Sequence, residues 1–232
     1  YAALKEIKSE RTNITTVEDP VEYQLDGVNQ VQVFEDIGLT FGSTLRSILR
    51  QDPDVLLIGE IRDGETADIA VKFALTGHLV FSTVHANDAP GTITRLLDIG
   101  IAPFLVGSCL NLVMAQRLVR RLCNKCREEY TPSNEELGLV GLDPSRVPKT
   151  LFKAKGCAEC RNTGYKGRLA IFEMIPMARD LRKLVFDNAN EDDIRQASLK
   201  NGMQTLREAG NARILDGTTS IEEVLRSTVE DL

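Results

Sequence analysis

Residues 52–63 read DPDVLLIGEIRD, a short apolar run between an Asp-Pro turn and a charged segment. The run carries no charge over four residues, which is typical of a strand buried on both faces of a parallel sheet. Val55–Ile58 is therefore predicted to be such a strand, and Glu60 follows just after its end. Helical periodicity at about Thr40–Gln51 and at Glu65–Leu75 places a helix on either side, which predicts an α/β fold.

Two further apolar runs end on polar side chains in the same way. Ile14–Val17 ends at Glu18-Asp19, and Leu79–Val84 ends at His85. Ligands of open α/β sheets bind outside the carboxyl ends of the strands, so the three ends predict one polar site. Its acids and histidine indicate metal-assisted phosphate chemistry.

The composition is that of an ordinary globular protein. The chain has 232 residues, 42% of them hydrophobic, and a formal net charge of −6. An acidic balance argues against a dedicated nucleic-acid binder, which usually carries a basic face. The longest apolar region, Ile99–Met114, is interrupted by Gly, Pro and polar residues and is shorter than the ~20 residues that span a bilayer. We therefore predict no transmembrane helix and expect membrane association through partners.

Four of the five cysteines form two C-x-x-C pairs, Cys123/Cys126 and Cys157/Cys160. Four thiolates satisfy tetrahedral zinc and leave no open coordination position, so the pairs predict a structural metal site. Zinc is inferred from the ligand type, and iron can occupy the same four thiolates. The remaining Cys109 lies on an apolar stretch and is predicted to be a small buried hydrophobe.

The second half of the chain is predicted to mix helices with a zinc-binding insert. Pro103–Leu122 is predicted to be a long helix with a basic end, and Arg168–Met174 to be a strand. Three helix starts carry capping residues. They are Ser133 with Glu136, Asn190 with Asp193, and Thr219 with Glu222, the last for a helix through Ser227.

A basic run lies beside the first cysteine pair. Its members are Arg117, Arg120, Arg121, Lys125 and Arg127. Such a run is either a solvated helix end or a contact with a membrane surface or a partner, and the sequence favours the first interpretation.

Three longer segments carry a resemblance to one family. They are TVEDPVEY at 16–23, DPDVLLIGEIRD at 52–63 and TGHLVFSTVHAND at 76–88. In this order they resemble the Asp box, the Walker B motif and the His box of secretion ATPases. Together with the cysteine pairs they are most similar to the type II secretion ATPases and the type IV pilus extension ATPases, whereas retraction-type pilus ATPases generally lack the tetracysteine element.

The resemblance covers nearly the whole chain and implies its organisation. The implied fold is α/β, a RecA-like P-loop ATPase core with a tetracysteine zinc-binding insert and a helical C-terminal subdomain. We assign residues 1–122 to the core, 123–171 to the zinc-binding subdomain and 172–232 to the helical subdomain.

The resemblance also implies roles for the residues at the strand ends. Glu60 and Glu18 are the catalytic candidates, which place the attacking water near the metal. The residues implied to contact or sense the phosphate are His85, His78 and Asp19. Those implied to support the Walker B motif are Asp54, Arg62 and Asp63. From the residues alone, Glu60 could equally pair with Arg62, and Glu18 could solvate a turn. Arg46, Arg50 and Arg62 are predicted to be ion-pair partners, because family arginine fingers come mainly from a preceding domain.

One family motif is missing from the 232 residues. No G-x-x-x-x-G-K-[ST] loop occurs, and the opening Tyr1-Ala2-Ala3-Leu4 resembles what directly follows that loop in the family. The loop's backbone N–H groups, lysine and hydroxyl hold the phosphates and magnesium. The chain is therefore expected to be a carboxy-terminal part that by itself neither binds ATP tightly nor hydrolyses it.

For the intact protein, the resemblance implies a homo-hexameric ATPase that uses ATP and Mg²⁺ and holds Zn²⁺. It implies a cytoplasmic protein on the inner face of the bacterial inner membrane, in contact with a membrane platform and cytoplasmic adaptor proteins, and not with nucleic acid. The alternative is a non-enzymatic, zinc-stapled scaffold that docks on the same platform. A recombination or conjugation ATPase is a weaker third interpretation, since the cysteine pairs fit it poorly.

Overall fold

The structure is a computed structural model that describes residues 1–228, and it divides into two compact units. The first contains Tyr1–Val113 and Pro176–Ala197, and the second contains Met114–Ile175 and the described residues from Ser198 onward. The helices and strands, in chain order, are α1 (Ala2–Ile7), β1 (Ile14–Glu18), β2 (Asn29–Gln32), α2 (Phe41–Ile48), β3 (Val55–Ile58), α3 (Gly64–Leu75), β4 (Leu79–Ser82), α4 (Ala89–Asp98), α5 (Pro103–Cys109), β5 (Leu112–Leu122), β6 (Glu128–Tyr130), α6 (Asn134–Leu139), β7 (Leu151–Lys153), β8 (Tyr165–Pro176), α7 (Arg179–Phe186), α8 (Glu191–Lys200), α9 (Leu206–Leu215) and α10 (Ile221–Ser227).

The first unit is built on a parallel sheet of four short strands. The strand order is β2-β1-β3-β4, and every neighbouring pair is parallel. Every residue of β1 is buried, as are three of the four residues of β3. The predicted α/β fold and the predicted strand at Val55–Ile58 are confirmed. Because the strands run the same way, their carboxyl ends meet at one edge of the sheet.

Helices α2 and α3 flank this sheet close to their predicted positions. Helix α2 contacts β1 and α3, and α3 also contacts β4 and α5. The Thr40 hydroxyl caps α2 by accepting a hydrogen bond from the Ser43 N–H at 3.2 Å. The strand ends differ slightly from prediction, since β4 stops at Ser82 and Glu18 is itself the last residue of β1.

The second unit combines two strand pairs with three helices. Strand β5 pairs with β8, and β6 pairs with β7 in antiparallel fashion. The predicted capping box at Ser133 and Glu136 is confirmed, with both of its hydrogen bonds formed at the start of α6. An apolar cluster joins α6, β7, α9 and α10. Its buried members are Leu137, Val140, Leu151, Ile214, Ile221 and Val224.

A buried carboxylate ties β5 to α10 within the second unit. Glu223 is fully buried and pairs with Arg120 and Arg226, each at 2.6 Å. The Arg120 guanidinium also stacks on the Tyr165 ring, 4.0 Å from its centroid. Burial acts to raise the pKa of Glu223, but hydrogen bonds from Arg226 and Arg120 outweigh it and lower this pKa to about 2.

The predicted long helix Pro103–Leu122 is wrong in its second half. Helix α5 ends at Cys109, and Leu112–Leu122 forms strand β5 with alternating exposure along Val113, Ala115 and Val119. The pairing of β5 with β8 supplies the hydrogen bonds that a helix would otherwise satisfy. The basic residues of this segment therefore lie on a strand and not at a helix end, and Arg120 pairs with Glu223.

The predicted cap of the last helix is wrong by one residue. Ser220, and not Thr219, caps α10 and accepts from the Glu223 N–H at 3.3 Å. The Thr219 hydroxyl instead donates to the Arg120 carbonyl oxygen at 2.8 Å. The predicted cap at Asn190 is confirmed, because its side-chain oxygen accepts from the Asp193 N–H at 2.9 Å. Strand β8 extends to Pro176, beyond the predicted Met174.

Across residues 1–228, the structure contains no helix with both the length and the apolar character needed to cross a membrane.

Candidate functional site

A cavity of about 340 Å³ opens at the carboxyl ends of β1, β3 and β4 in the first unit. It is where the sequence predicts the polar site, and four of the predicted residues line it. They are Glu18, Asp19, Glu60 and His85. Other side chains of the lining were not singled out from the sequence. They include Tyr1, Phe81, Ser82 and Thr83.

The Glu60 carboxylate is held between a guanidinium and an imidazole. One oxygen, Oε1, accepts from Arg62 Nη2 at 2.5 Å, and Oε2 lies 3.0 Å from His85 Nε2. The hydrogen bond from Arg62 lowers the pKa of Glu60, burial opposes that shift, and His85 reinforces it. Glu60 therefore faces the cavity as a carboxylate and is also the ion-pair partner of Arg62, so the two interpretations of this residue coexist.

The backbone around Glu60 is fixed on both sides by neighbouring strands. The Gly59 N–H donates to the Val17 carbonyl oxygen at 2.8 Å, and the Thr83 hydroxyl donates to the Gly59 carbonyl oxygen at 2.7 Å. After Glu60, the Ile61 N–H donates to the Thr83 carbonyl oxygen at 2.9 Å. Thr83 thus contacts the residues before and after Glu60. The sequence offered one signal for this role, a threonine near the end of the predicted strand Leu79–Val84.

Gly59 brings the ends of β1 and β3 into close approach. A Cβ at this position would lie 3.3 Å from the Glu18 Cα and 3.3 Å from the Val17 carbonyl oxygen. Few real Cβ atoms are so crowded by backbone. The absence of a side chain at Gly59 therefore allows the two acid-bearing strand ends to lie side by side.

Glu18 is buried, at 4% exposure, and accepts hydrogen bonds from three neutral groups. The Thr16 hydroxyl and Gln30 Nε2 donate to Oε1, and the Tyr1 hydroxyl donates to Oε2. The Gln30 bond measures 3.2 Å. Asp19, the next residue, is exposed beside the same cavity and precedes Pro20 through a cis peptide bond.

Three other predicted site residues lie elsewhere in the first unit. Asp54 and His78 precede β3 and β4, at the amino ends of strands whose carboxyl ends lie about 13 Å away, given a rise of about 3.3 Å per residue. The His78 ring stacks on Phe73 with 4.0 Å between ring centroids. Asp63 caps α3, since its Oδ1 accepts from the Thr66 N–H at 2.8 Å. The structure does not bring these three side chains into the cavity.

The second unit contains the four paired cysteines as one cluster. The sulfurs of Cys123, Cys126, Cys157 and Cys160 all lie within 4.8 Å of one another, and none forms a disulfide. Burial raises the pKa of Cys126 to about 12, and hydrogen bonds with the three neighbouring thiols add to the rise, so charging this sulfur calls for a nearby cation. A divalent metal would supply that charge, so four thiolate donors at this spacing fit a tetrahedral Zn²⁺.

Backbone groups stabilise negative charge at one of these sulfurs. The N–H groups of Cys157 and Gly164 each donate to Cys160 Sγ at 3.2 Å. Burial acts to raise the pKa of Cys160, but these bonds outweigh it and lower the pKa to about 6. Gly164 adopts φ = +77°, and a Cβ there would lie 2.5 Å from the Ala154 Cβ. Cys109 lies apart at the end of α5, and burial raises the pKa of its thiol.

Comparison with known proteins places this architecture in a family. The family model described as Type II/IV secretion system protein matches residues 1–226. The chain belongs to this family. Both the acidic cavity and the cysteine cluster lie inside the matched residues.

Curated members of the Type II/IV secretion system family match the chain over its full length. The type IV pilus assembly ATPase PilB of Myxococcus xanthus is 48% identical over 233 residues, which cover 100% of this chain and 41% of that protein. The type II secretion system protein E of Pseudomonas aeruginosa is 48% identical over 231 residues, which cover 100% of this chain and 46% of that protein. The chain therefore spans less than half the length of these relatives.

Solved structures share the fold. The pilus retraction motor PilT, in a crystal structure with bound ADP, superposes with a TM-score of 0.71 at 26% identity, covering 98% of this chain and 56% of that one. The ATPase DotB of Legionella pneumophila has the same fold, with a TM-score of 0.64 at 18% identity, covering 96% of this chain and 53% of that one. The predicted membership of the secretion ATPase family is confirmed by the family model and by the curated relatives.

Proposed function

We propose that this chain is the carboxy-terminal motor part of an ATPase that powers type II secretion or type IV pilus assembly. One observation carries the proposal, the meeting of Glu18, Glu60 and His85 at a single cavity. The relatives named above as a pilus assembly ATPase and a type II secretion protein E support it. The predicted division into residues 1–122, 123–171 and 172–232 remains part of the proposal.

The cavity has oxygen ligands of the kind that magnesium requires. Carboxylate oxygens are the protein ligands that Mg²⁺ prefers, and Glu18, Asp19 and Glu60 present them along one wall. When bound, Mg·ATP supplies the phosphoryl group and the charge neutralisation for its transfer. Asp19 and His85 are the proposed contacts for the phosphate end.

Glu60 is the proposed general base. Its lowered pKa keeps the carboxylate ionised at neutral pH, so it can accept a hydrogen bond from water and orient it. The Arg62 guanidinium contacts one carboxylate oxygen and the His85 imidazole contacts the other, which fixes the orientation of the carboxylate. Glu18 is the proposed second acid, which orients water or metal from the adjacent strand. Asp54, Asp63 and His78 are proposed to act indirectly, through the elements that begin just after them, which are β3, α3 and β4.

The other proposed properties concern the intact protein. We propose a homo-hexamer that works on the cytoplasmic face of the inner membrane and contacts a membrane platform and adaptor proteins. The cysteine cluster is proposed to hold Zn²⁺ in a structural role. Residues 1–232 carry no phosphate loop, so by themselves they are expected to bind ATP weakly and not to hydrolyse it. Saturable micromolar ATP binding in calorimetry would contradict that expectation.

Replacement of Glu60 in the full-length protein tests the enzymatic proposal. Glu60→Gln keeps the shape and removes the charge, so kcat for ATP hydrolysis should fall by about 100-fold or more. Glu65→Gln is the matched control, because Glu65 lies on α3 and pairs with Arg46 on the surface. Unchanged hydrolysis by the Glu60 variant would instead favour the non-enzymatic scaffold, a function that does not depend on this carboxylate.

A further inference from the structure

We propose that Gln30 and Thr16 are positioning residues that hold Glu18 in one orientation toward the cavity. The inference rests on the proposed role of Glu18. Gln30 lies outside the three motif segments, and Thr16 begins the segment 16–23 but had no role assigned to it from the sequence. The inference starts from the way the strands β1 and β2 align.

Strand register brings the two side chains to the same carboxylate. Thr16 and Glu18 are two residues apart on β1, so their side chains project from the same face of the sheet. Gln30 on β2 is the direct cross-strand neighbour of Thr16. The result is a row of polar side chains across two adjacent strands. Thr16 is fully buried and Glu18 is nearly so.

Because Glu18 is buried, its hydrogen bonds must stabilise the carboxylate in place of water. A carboxylate withdrawn from water loses much of its solvation, which protein donors must replace. Oε1 of Glu18 takes hydrogen bonds from the Thr16 hydroxyl and from Gln30 Nε2, and Oε2 takes one from the Tyr1 hydroxyl. With both oxygens engaged, the carboxylate plane is fixed. Neutral donors achieve this without a permanent cation, so the negative charge stays available to a bound ligand.

The orientation of the Gln30 amide is itself determined. Its Oε1 accepts from the Leu25 N–H at 2.6 Å, and its Nε2 also donates to the Tyr23 carbonyl oxygen at 3.2 Å. A flipped amide would set an oxygen against the Glu18 carboxylate and an NH₂ group against the Leu25 N–H, and both contacts would be repulsive. Gln30 therefore presents a donor to Glu18, and it couples that carboxylate to the chain segment that contains Tyr23 and Leu25.

Substitutions in the full-length ATPase test this positioning role. Gln30→Leu removes the amide, and Thr16→Val removes only a hydroxyl while keeping the side-chain shape. Each should lower kcat by about tenfold, with the KM for ATP changed less than about threefold, because each substitution removes one hydrogen bond to the charged carboxylate. Thr16→Ser should retain kcat, since it keeps the donor. Gln51→Leu, at an exposed position after α2, is the matched control.

A double-mutant cycle separates positioning from general damage. If Gln30 acts through Glu18, then adding Gln30→Leu to Glu18→Gln should lower kcat no further than Glu18→Gln alone. Additive losses, or a kcat of Gln30→Leu and Thr16→Val equal to that of the unmodified protein, would overturn the inference. The proposed function fails separately, and visibly, if Glu18→Gln leaves kcat unchanged. Should Gln30→Leu not fold, Gln30→Met removes the amide with less change of shape, and the Thr16→Val and Thr16→Ser pair tests the second donor independently.

Discussion

The hydroxyl of Thr83 donates a 2.7 Å hydrogen bond to the carbonyl oxygen of Gly59, the residue before Glu60. The Thr83 carbonyl oxygen accepts from the N–H of Ile61, the residue after Glu60. A side chain at the end of β4 thus holds the backbone that carries the proposed base on β3. Positional errors of about 1 Å at a reacting group can lower rates by about 100-fold.

We expect Thr83→Val to lower kcat of the full-length protein by about tenfold, because it keeps the shape and removes the bond to Gly59. Thr83→Ser keeps the donor and should retain most of the activity. Steady-state ATP hydrolysis with both variants measures the difference. Equal rates for valine and serine would show that the hydroxyl does not position Glu60.

Arg62 lowers the pKa of Glu60, so its removal should change the pH at which Glu60 titrates. The Arg62 hydrogen bond is the largest influence lowering the pKa of Glu60. We expect Arg62→Ala to raise this pKa, so that protonation occurs at higher pH than in the unmodified protein. Carbon-13 NMR of labelled glutamate carboxyls follows the titration directly. Arg50→Ala is the control, and an unmoved Glu60 titration would contradict the prediction.

The buried Glu223 should contribute strongly to stability. Removing one partner of a buried ion pair typically costs about 3–5 kcal/mol, so Glu223→Gln should lower the free energy of unfolding by about 3 kcal/mol. Denaturation in urea measures this difference. Glu222→Gln, at the exposed neighbouring position, should change the stability by less than about 0.5 kcal/mol. If Glu223→Gln lowered the free energy of unfolding no more than Glu222→Gln does, the ion pairs with Arg120 and Arg226 would contribute little to stability.

The same residue predicts how stability depends on pH. The pKa of Glu223 falls from its usual value of 4.5 to about 2 in the folded protein. A carboxyl group with a lowered pKa stabilises the fold fully above its unfolded pKa, and this contribution disappears as the pH falls from about 4.5 toward 2. We therefore expect the unmodified protein to lose more stability than Glu223→Gln over that range. Parallel pH profiles of unfolding for the two proteins would contradict this.

The cysteine cluster should bind one Zn²⁺ per chain, and this binding should require Cys160. Cys160→Ser should release the metal, whereas Cys109→Ser should retain it, because Cys109 lies outside the cluster. Metal analysis by mass spectrometry tests both. Because metal binding to such sites is coupled to local folding, chelation should speed amide exchange around Cys123 and Gly164. Full retention of metal by Cys160→Ser would rule out four-thiolate coordination.

Much of the first unit was predictable because its signals are local. Val55–Ile58 is an uninterrupted apolar run, and the polar residues that line the cavity come directly after such runs. Four of the predicted site residues line this cavity, and predicting them required no knowledge of contacts between distant parts of the chain. Asp54 and His78 were grouped with them by motif, but each precedes its strand, and in a parallel sheet that places it at the opposite edge.

Errors arose where a local pattern supports two structures. Leu112, Ala115, Val119 and Leu122 follow helical spacing, while Val113, Ala115 and Val119 also alternate as in a strand. The segment forms a strand because β8, about 50 residues later in the chain, pairs with it. Likewise, both Thr219 and Ser220 have a glutamate three residues on.

The contacts that position the site were beyond sequence reasoning for a related reason. Gln30 reaches Glu18 because of the register between β1 and β2. Thr83 reaches Gly59 because β3 and β4 are neighbours. Neither register nor strand order is encoded in the spacing of these residues along the chain, so the catalytic candidates were predictable and their supports were not.

Gly59 has a consequence for anyone who wishes to redesign this protein. A Cβ there would lie 3.3 Å from backbone atoms of Val17 and Glu18, so the two strands would have to move apart by a few tenths of an ångström, and backbone cannot rotate away as a flexible side chain can. Variant libraries that diversify the cavity should therefore leave this position alone and draw their variety from the loops. A substitution at residue 59 would therefore change the spacing between the two acids without altering either of them.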